Sequence, residues 1–463
     1  MRRSAKARLV LPMIMLLNAC VPASHSEVAS RAVIADSTLP PMKQFSSAPP
    51  APPQLSNTVL AQDFLDLAFR MESGRTLPVL TRFEGPITLR VAGKAPATLA
   101  PDLARLLARL RHEAGIELRQ VTGERANITI QAISRNQIQK LLPQAACFVV
   151  PNVSTLAEYR RTRRAPSTDW TRLTERRKLA IFLPNDVSPQ ETRDCLHEEL
   201  AQALGPLNDL YRLPDSVFND DNVHTVLTGF DMLILRAYYD PALRSGMTRE
   251  EAAAALPEVL ARLNPAGGAV RMHPAPATPQ VWGRAIQTAL GRDVSRSTRL
   301  AAAQDALRIA QTQGWQDNRR AFSHYAMGRV IQMTDPVAAQ SHYTAADSYY
   351  GLSPNTALHR TYVATQRAGY AVTRGDGAAA LAVIEPHLAS AEAGENAALL
   401  ATLLLLKAEA LQIEGRDHAA RRVRLDSIGW ARYGFGPDWA VRAKLREIAS
   451  LNPHRGSASN LGG

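Results

Sequence analysis

The sequence predicts an α+β domain followed by an all-α domain of helical repeats. Residues 56–262 alternate short strand patterns with amphipathic helices, whereas residues 281–452 carry alanine-rich helical patterns only. A stretch rich in proline and glycine, residues 263–280, separates the two segments as a linker. The 463 residues also exceed what a single hydrophobic core usually serves. We therefore expect two folded domains.

The first 19 residues have the composition of a secretory signal. Four basic residues precede an apolar run, Leu9 to Leu17, which is too short to span a bilayer because a membrane helix needs about 20 residues. The run ends in Leu17-Asn18-Ala19-Cys20, which resembles the bacterial lipobox, and this resemblance implies that Cys20 is lipidated. Val21 favours the outer membrane in the same resemblance. An ordinary signal with an incidental cysteine is the alternative.

These observations predict an exported protein that is anchored by lipid on the periplasmic face of the bacterial envelope. Residues 20–55 are rich in Ala, Ser and Pro and are predicted to be a disordered tether, and residues 453–463 a disordered tail. Four of the 54 basic residues lie in the signal, so the mature chain is less basic than the formal +12 of the whole sequence. A basic surface suits anionic partners in the envelope.

The densest basic cluster runs from Arg160 to Arg164 and continues in Arg172, Arg176, Arg177 and Lys178. Contact with lipid headgroups or nucleic acid is one interpretation. No aromatic interleaving or nucleic-acid motif accompanies the cluster, which favours a solvated loop. We expect no nucleic-acid partner.

Within the first domain the pattern predicts a mixed five-stranded sheet with two main helices. The predicted strands are residues 87–91, 116–121, 128–132, 147–150 and 179–183. A first helix covers Leu99 to Glu113, and a second begins near Pro189. The second helix contains the motif that bears on function.

That motif runs from Glu198 to Asn208 and reads E-E-x-x-Q-x-x-G-x-x-N. Its spacing is that of the zinc-protease motif H-E-x-x-H-x-x-G-x-x-H without the histidines. Residues four apart share one helix face, so Glu198 and Gln202 point together. Gly205 can adopt the left-handed conformation that ends a helix, and the returning chain can then bring Asn208 to the same point.

A second register begins at His197, but it places Ala201 at the second ligand position and leaves Gly205 unexplained. The first register is therefore preferred. It makes Glu198, Gln202 and Asn208 the equivalents of metal ligands and Glu199 the candidate general base. One carboxylate and two amides form a hard donor set of low charge, which suits magnesium, calcium or no metal rather than tightly bound zinc. We expect no cofactor or a weakly bound divalent metal.

Residues 56–262 resemble the bacterial family called domain of unknown function 2927, which is itself similar to metzincin-like peptidases. The residues that carry the resemblance are Cys195, Glu198 to Gly205, Asn208-Asp209 and Ser216 to Asp220. The resemblance implies a metzincin-like fold, whose order of strand, helix, four strands and motif helix agrees with the pattern above. Met232 corresponds either to the methionine beneath a metzincin metal or to a core methionine.

Three cysteines are present, and lipidation of Cys20 would leave the pair Cys147 and Cys195. An oxidising periplasm allows these two to form a disulfide, which would staple the motif helix to the sheet. Two buried free thiols are the alternative.

The second domain is predicted to be a degenerate tetratricopeptide-like array of three or four helical hairpins. Turns at Gly375-Asp376-Gly377 and Gly415-Arg416-Asp417 break its helices, and Ala339, Tyr343 and Ala346 lie close to the positions of that repeat. His324 replaces the leading tryptophan of the repeat.

Two hypotheses for function follow from these observations. The first is an envelope lipoprotein with a non-catalytic peptidase-like domain, whose two domains bind an envelope protein, a peptide or the cell wall. The alternative is an atypical metal-dependent hydrolase of peptide or peptidoglycan with Glu199 as general base. The membrane contact is made through the lipid on Cys20 in both.

Overall fold

The computed structural model describes residues 39–46, 51–123 and 125–458. An α+β region is followed by a helical region, as the sequence predicts. The predicted signal, Cys20 and residues 20–38 and 47–50 of the predicted tether lie outside the described residues. In the described part of the chain, no helix has the length and apolar character that crossing a membrane requires.

The α+β region is built on one mixed five-stranded sheet. Its strands are β1 (Ile87–Gly93), β2 (Leu118–Gln120), β3 (Ile128–Ile133), β4 (Phe148–Pro151) and β5 (Leu179–Pro184). They lie in the order β2-β1-β3-β5-β4, with β4 antiparallel to β5 at one edge and the other pairs parallel. All six residues of β5 are buried, as expected for a strand that is covered on both faces. The predicted mixed sheet of five strands is confirmed.

Seven helices surround this sheet among the described residues. They are α1 (Asn57–Ala68), α2 (Leu99–Arg109), α3 (Arg135–Gln139), α4 (Leu156–Thr162), α5 (Pro189–Leu204), α6 (Gly229–Tyr238) and α7 (Arg249–Leu263). Apolar side chains of α1, α2, α5, α6 and α7 form one core with β1, β3 and β5. A smaller apolar cluster lies where α3 and α4 meet β4 and β5. Helix α5, which carries the motif, is therefore central to the fold.

A disulfide fastens α5 to the edge of the sheet. Cys147 immediately precedes β4, Cys195 lies in the second turn of α5, and the two are bonded to each other. The predicted pairing is therefore present, and the alternative of two free thiols does not hold. The bond spans 48 residues of sequence.

The second region is helical throughout. Its helices are α8 (Gln280–Leu290), α9 (Arg296–Thr312), α10 (Asn318–Ile331), α11 (Pro336–Leu352), α12 (Ala357–Thr373), α13 (Gly377–Ile384), α14 (Leu388–Ala393), α15 (Ala397–Ile413), α16 (Asp417–Phe435), α17 (Asp438–Ala449) and α18 (Pro453–Ala458). Helices adjacent in sequence pack against each other, most extensively α15 with α16, α10 with α11, α8 with α9 and α9 with α10. Gly375 and Gly415 lie in the two predicted turns and have left-handed φ angles of +72° and +69°. We call this region the helical array.

Close packing in the array depends on small residues. Gly328 on α10 faces Tyr343 on α11, and a Cβ atom added at Gly328 would lie 2.6 Å from a ring atom of that tyrosine. Ala339, Tyr343 and Ala346 are fully buried on α11. These are the three positions that the repeat pattern singled out.

Two segments that the sequence assigned to disorder contact the array instead. The amide of Lys43 donates to the carbonyl of Gly429, and the Phe45 ring stacks on Trp430 at 4.4 Å between centroids. At the other end, residues 453–458 form α18, whose first turn is capped when Asn452 Oδ1 accepts from the His454 amide. Composition missed both segments because each is ordered by contacts with distant residues.

The α+β region and the array contact each other through buried polar pairs. His359 Nε2 lies 2.8 Å from Asp221 Oδ2, and both side chains are buried. Gln190 at the start of α5 donates to Asn396 Oδ1 at 3.0 Å. The motif helix is thus held by the array as well as by the sheet.

Candidate functional site

The motif helix begins and ends near the predicted residues. Ser188 caps it, since its hydroxyl accepts from the Glu191 amide at 3.1 Å, and Pro189 occupies the first helical position. The last helical residue is Leu204, so Gly205 follows the helix as predicted. Its conformation differs from the prediction, because φ is −155° and not left-handed.

Packing favours glycine at 205 for a different reason. A Cβ atom there would lie 3.1 Å from the ring of Tyr238 on α6, tighter than ordinary packing. The end of the helix is instead organised by Arg176, whose guanidinium donates to the carbonyls of Gln202 and Gly205. A cation at these carbonyls satisfies acceptors that the helix leaves free and favours the negative end of its dipole.

Arg176 was missed by the sequence interpretation, which placed it in a solvated basic loop. The residue is only 2% exposed, and its guanidinium also lies over the Trp170 ring at 5.3 Å. Burial lowers the pKa of Arg176 from its usual value. The hydrogen bonds to the helix carbonyls stabilise the charged guanidinium. Only the alternation of Arg176 with the exposed Arg177 before β5 hints at this inward orientation.

His197 lies on the core side of α5. Its Nδ1 accepts from the Leu227 amide at 3.1 Å, and the side chain is buried. Burial, followed by the charges of Arg193 and Arg109, holds the pKa of His197 well below its usual value. The imidazole is therefore neutral and is occupied in anchoring the segment before α6. This position agrees with the register that begins at Glu198.

The ligand-equivalent side chains are in different environments. Asn208 Nδ2 donates to the carbonyl of Asp66 at 2.8 Å, which ties the amide to the end of α1. Gln202 is buried on α5, and Glu198 is half-buried one turn earlier. This hydrogen bond uses the amide nitrogen and fixes the orientation of the side chain, whereas an amide binds a cation through its oxygen.

A cavity of about 600 Å³ lies beside this motif. One wall comes from the turn after α1, a second from residues 208–212 and 220, and a third from the linker and α8. Arg212 and Arg249 also line the cavity, but both form ion pairs with Asp66. Because both regions of the chain contribute to it, the cavity depends on their junction.

Acidic side chains converge at this cavity. One carboxylate oxygen each from Glu72, Asp209 and Asp220 lies within 4.8 Å of the other two. We call these three residues the acidic triad. Asp209 follows directly on the predicted Asn208, whereas Glu72 comes from a turn more than a hundred residues earlier. Neither Glu72 nor a metal-binding role for Asp209 and Asp220 could be predicted from the sequence, because no spacing rule joins such distant residues.

Glu198, Asp209 and Asp220 are each harder to ionise here than in water. Burial, then the charges of Glu72 and Asp220, raises the pKa of Glu198 to about 7. Burial likewise raises the pKa of Asp220 to about 6, with Glu72 and Asp221 contributing. Burial and the neighbouring acids raise the pKa of Asp209 well above its usual value. Repulsion among like charges is the shared cause beyond burial.

Glu199 was predicted as a general base, and its environment favours the protonated form. The residue is 4% exposed, and its Oε2 has no hydrogen-bond partner among the described residues. Burial, then the charges of Glu198 and Glu72, raises the pKa of Glu199 well above its usual value. A protonated carboxyl donates a proton, whereas a general base must be ionised, so this environment disfavours the form that the predicted role needs.

An irregular segment, residues 205–228, carries two members of the acidic triad. Asp231 on α6 organises its second half by accepting from the Ser216 hydroxyl at 2.5 Å and from the Val217 and Thr228 amides. This explains the motif from Ser216 to Asp220, which had no assigned role. Met232, adjacent on α6, is buried in the main core, which agrees with its interpretation as a core methionine.

Comparison with known proteins identifies the first region only. Residues 57–258 match the family model described as Protein of unknown function (DUF2927), which confirms the predicted family over that segment. No curated protein matches the chain, and neither does any solved structure.

Proposed function

We propose that this chain is a lipid-anchored envelope protein that binds a partner without cleaving it. Residues 57–258 match a family of unknown function, so the proposal is argued from the site and not from the family. In this proposal its first region is a metzincin-like domain that no longer binds zinc, and its array is a tetratricopeptide-like binding scaffold. The observation that carries the proposal is that Glu198, Gln202 and Asn208 occupy the three ligand-equivalent positions, because one carboxylate and two amides bind zinc weakly.

The cavity at the junction is the proposed binding site. Its volume of about 600 Å³ is within the usual range for sites that take a small molecule or a few residues of a peptide. Residues of α8 line it together with residues after α1 and α5. A ligand there would contact both regions, which explains why the array and the domain are joined in one chain.

The cellular location is part of the proposal. The lipobox-like sequence at Cys20 supports lipidation and attachment to the outer membrane, with the mature chain in the periplasm. The disulfide between Cys147 and Cys195 supports the same location, because disulfides persist in oxidising compartments.

A photocrosslinking experiment tests the binding role. A benzophenone amino acid is placed at the exposed Arg284, which lines the cavity, and as a control at Val337, which is exposed on α11. We expect a discrete adduct in intact cells from position 284 and none from position 337. Equal labelling from both positions would contradict a cavity-specific partner.

The alternative, an atypical metal-dependent hydrolase, is favoured by the acidic triad, because a bound cation could stabilise ionised carboxylates beside Glu199. The purified full chain is incubated with peptide and peptidoglycan substrates, with and without added divalent metal. Binding without turnover supports the adaptor. Turnover that Glu199→Gln abolishes, while the fold is retained, would replace the adaptor with the enzyme.

A further inference from the structure

The acidic triad has the geometry of a calcium site. Its three oxygens, from Glu72, Asp209 and Asp220, lie within 4.8 Å of one another. Calcium binds oxygens at about 2.4 Å, so two ligands on opposite sides of the ion are about 4.8 Å apart. Three oxygens within that separation are close enough to share one calcium ion.

Proximity of acids is not sufficient evidence, and two further observations point to a ligand. Asp209 Oδ1 is enclosed and has no hydrogen-bond partner among the described residues. The same holds for Oε2 of Glu199, which is 4% exposed and close enough to Glu72 to feel its charge. A buried carboxylate oxygen without a partner costs free energy, and a bound cation would remove that cost.

Protein cations do not neutralise the triad. Among the described residues, no lysine, arginine or histidine forms an ion pair with Glu72, Asp209 or Asp220. Arg212 and Arg249, which line the cavity, pair with Asp66 instead.

We propose that Glu72, Asp209 and Asp220 bind one calcium ion, which joins the turn after α1 to the irregular segment 205–228. The donor set is oxygen only, which suits calcium better than zinc, since zinc prefers nitrogen and sulfur ligands. Magnesium prefers a smaller octahedral shell and retains several waters, so three carboxylates from two loops suit it less well.

The calcium ion has a structural consequence for the junction. The irregular segment has 24 residues without regular secondary structure between α5 and α6, and Asp231 organises only its second half. Asp209 lies in the first half of this segment and Asp220 in the second, and both line the cavity together with Glu72. Calcium would therefore fix the cavity wall in place. This inference does not depend on whether the cavity binds a partner or hydrolyses one.

The test measures thermal unfolding and calcium binding of the full chain after chelator treatment. We expect millimolar CaCl₂ to raise the unfolding temperature by about 2–6 °C and titration calorimetry to show one site. In Asp209→Asn, and independently in Asp220→Asn, the calcium-dependent rise should be lost. Asp305→Asn, which removes a carboxylate that is exposed on α9, serves as the matched control and should keep the full rise.

The sign of the change without calcium provides a second readout. Asp209→Asn removes a repelled carboxylate, so in chelator the variant should unfold at the same temperature as the wild type or higher. A simple loss of folding would instead lower it. The proposal is overturned if the wild type shows no calcium-dependent rise, if both triad variants keep it, or if MgCl₂ gives an equal rise.

Discussion

Two buried glutamates show how differently the two regions of this molecule treat charge. Glu409 on α15 is 2% exposed, and its carboxylate accepts hydrogen bonds from Arg424, Asn452 and Arg455. Glu199 on α5 is almost as buried, yet one of its oxygens has no partner among the described residues. The array therefore buries an acid only with compensating donors, whereas the α+β region concentrates acids that repel one another.

This difference separates structural from functional burial. A buried charge that is fully hydrogen-bonded serves packing, while a group of uncompensated acids beside a cavity lowers stability unless something binds there. Substitutions in one region at a time test this difference between the α+β region and the array.

The largest expected effect is on the α+β region alone. Replacing Cys147 and Cys195 together by serine removes a cross-link that spans 48 residues, and should lower the free energy of unfolding of this region by about 3–4 kcal/mol. The array has no cysteine and should change little. Hydrogen exchange followed by mass spectrometry measures both regions in one sample. Equal loss of protection in the array would show that the two regions unfold as one unit.

Removing the two glutamates should have opposite effects. Glu409→Ala leaves Arg424 and Arg455 without their buried acceptor and should destabilise the protein by about 3 kcal/mol. Glu199→Gln keeps the shape and removes a repelled carboxyl, so in chelator stability should be unchanged or higher.

Urea denaturation of both variants measures this contrast. If Glu199→Gln loses as much stability as Glu409→Ala, then Glu199 has a structural partner after all and the distinction between the regions fails.

Added side-chain volume at a tightly packed position of the array should lower its stability. Gly328→Ala places a methyl group against the ring of Tyr343 and should cost about 1–3 kcal/mol, which thermal unfolding would detect. Gly351→Ala on the facing helix α11 is the matched control, since nothing lies within 4 Å of the added atom. That control should gain up to about 1 kcal/mol from helix propensity. Similar losses in both variants would argue against specific packing at Gly328.

The smallest effect concerns pH in the α+β region. Burial raises the pKa of Asp231 to about 6, against about 3.9 in an unfolded chain. The folded state therefore binds the proton more tightly, and this contribution to stability is complete below about pH 4 and is lost as the pH rises through 6.

Between pH 5 and pH 7 the loss from this one group is about 1 kcal/mol. Denaturant unfolding of the wild type and of Asp231→Asn at both pH values, in chelator, measures it. The decline with pH should be shallower by that amount in the variant. Parallel declines would show that Asp231 titrates in the same range in both states.

The sequence predicted the sheet, the division into two regions and the disulfide, because each rests on local periodicity or on counting. Strand β5 has six buried apolar-type residues in succession, and the turn glycines such as Gly415 mark helix ends directly. Gly205 was correctly placed after its helix, but for a wrong reason, because the ring that excludes a side chain there belongs to Tyr238 on another helix.

The site was less predictable than the fold. Asn208 was expected beside Glu198 and Gln202, and its contact with a carbonyl on α1 was not foreseen, because no motif connects α1 to α5. Glu72 joins Asp209 and Asp220 only after the chain has folded. Spacing rules describe residues on one helix face, and these contacts are made between loops.

The segment at residues 39–46 has a mechanical consequence. The chain meets the array at Lys43 and Phe45, passes through the whole α+β region, and returns to the same helices at its other end. A pull applied at Leu39 would load the stacked rings of Phe45 and Trp430 before it reached α1. The cavity and the acidic triad would therefore bear no force until the contact between Phe45 and Trp430 had broken.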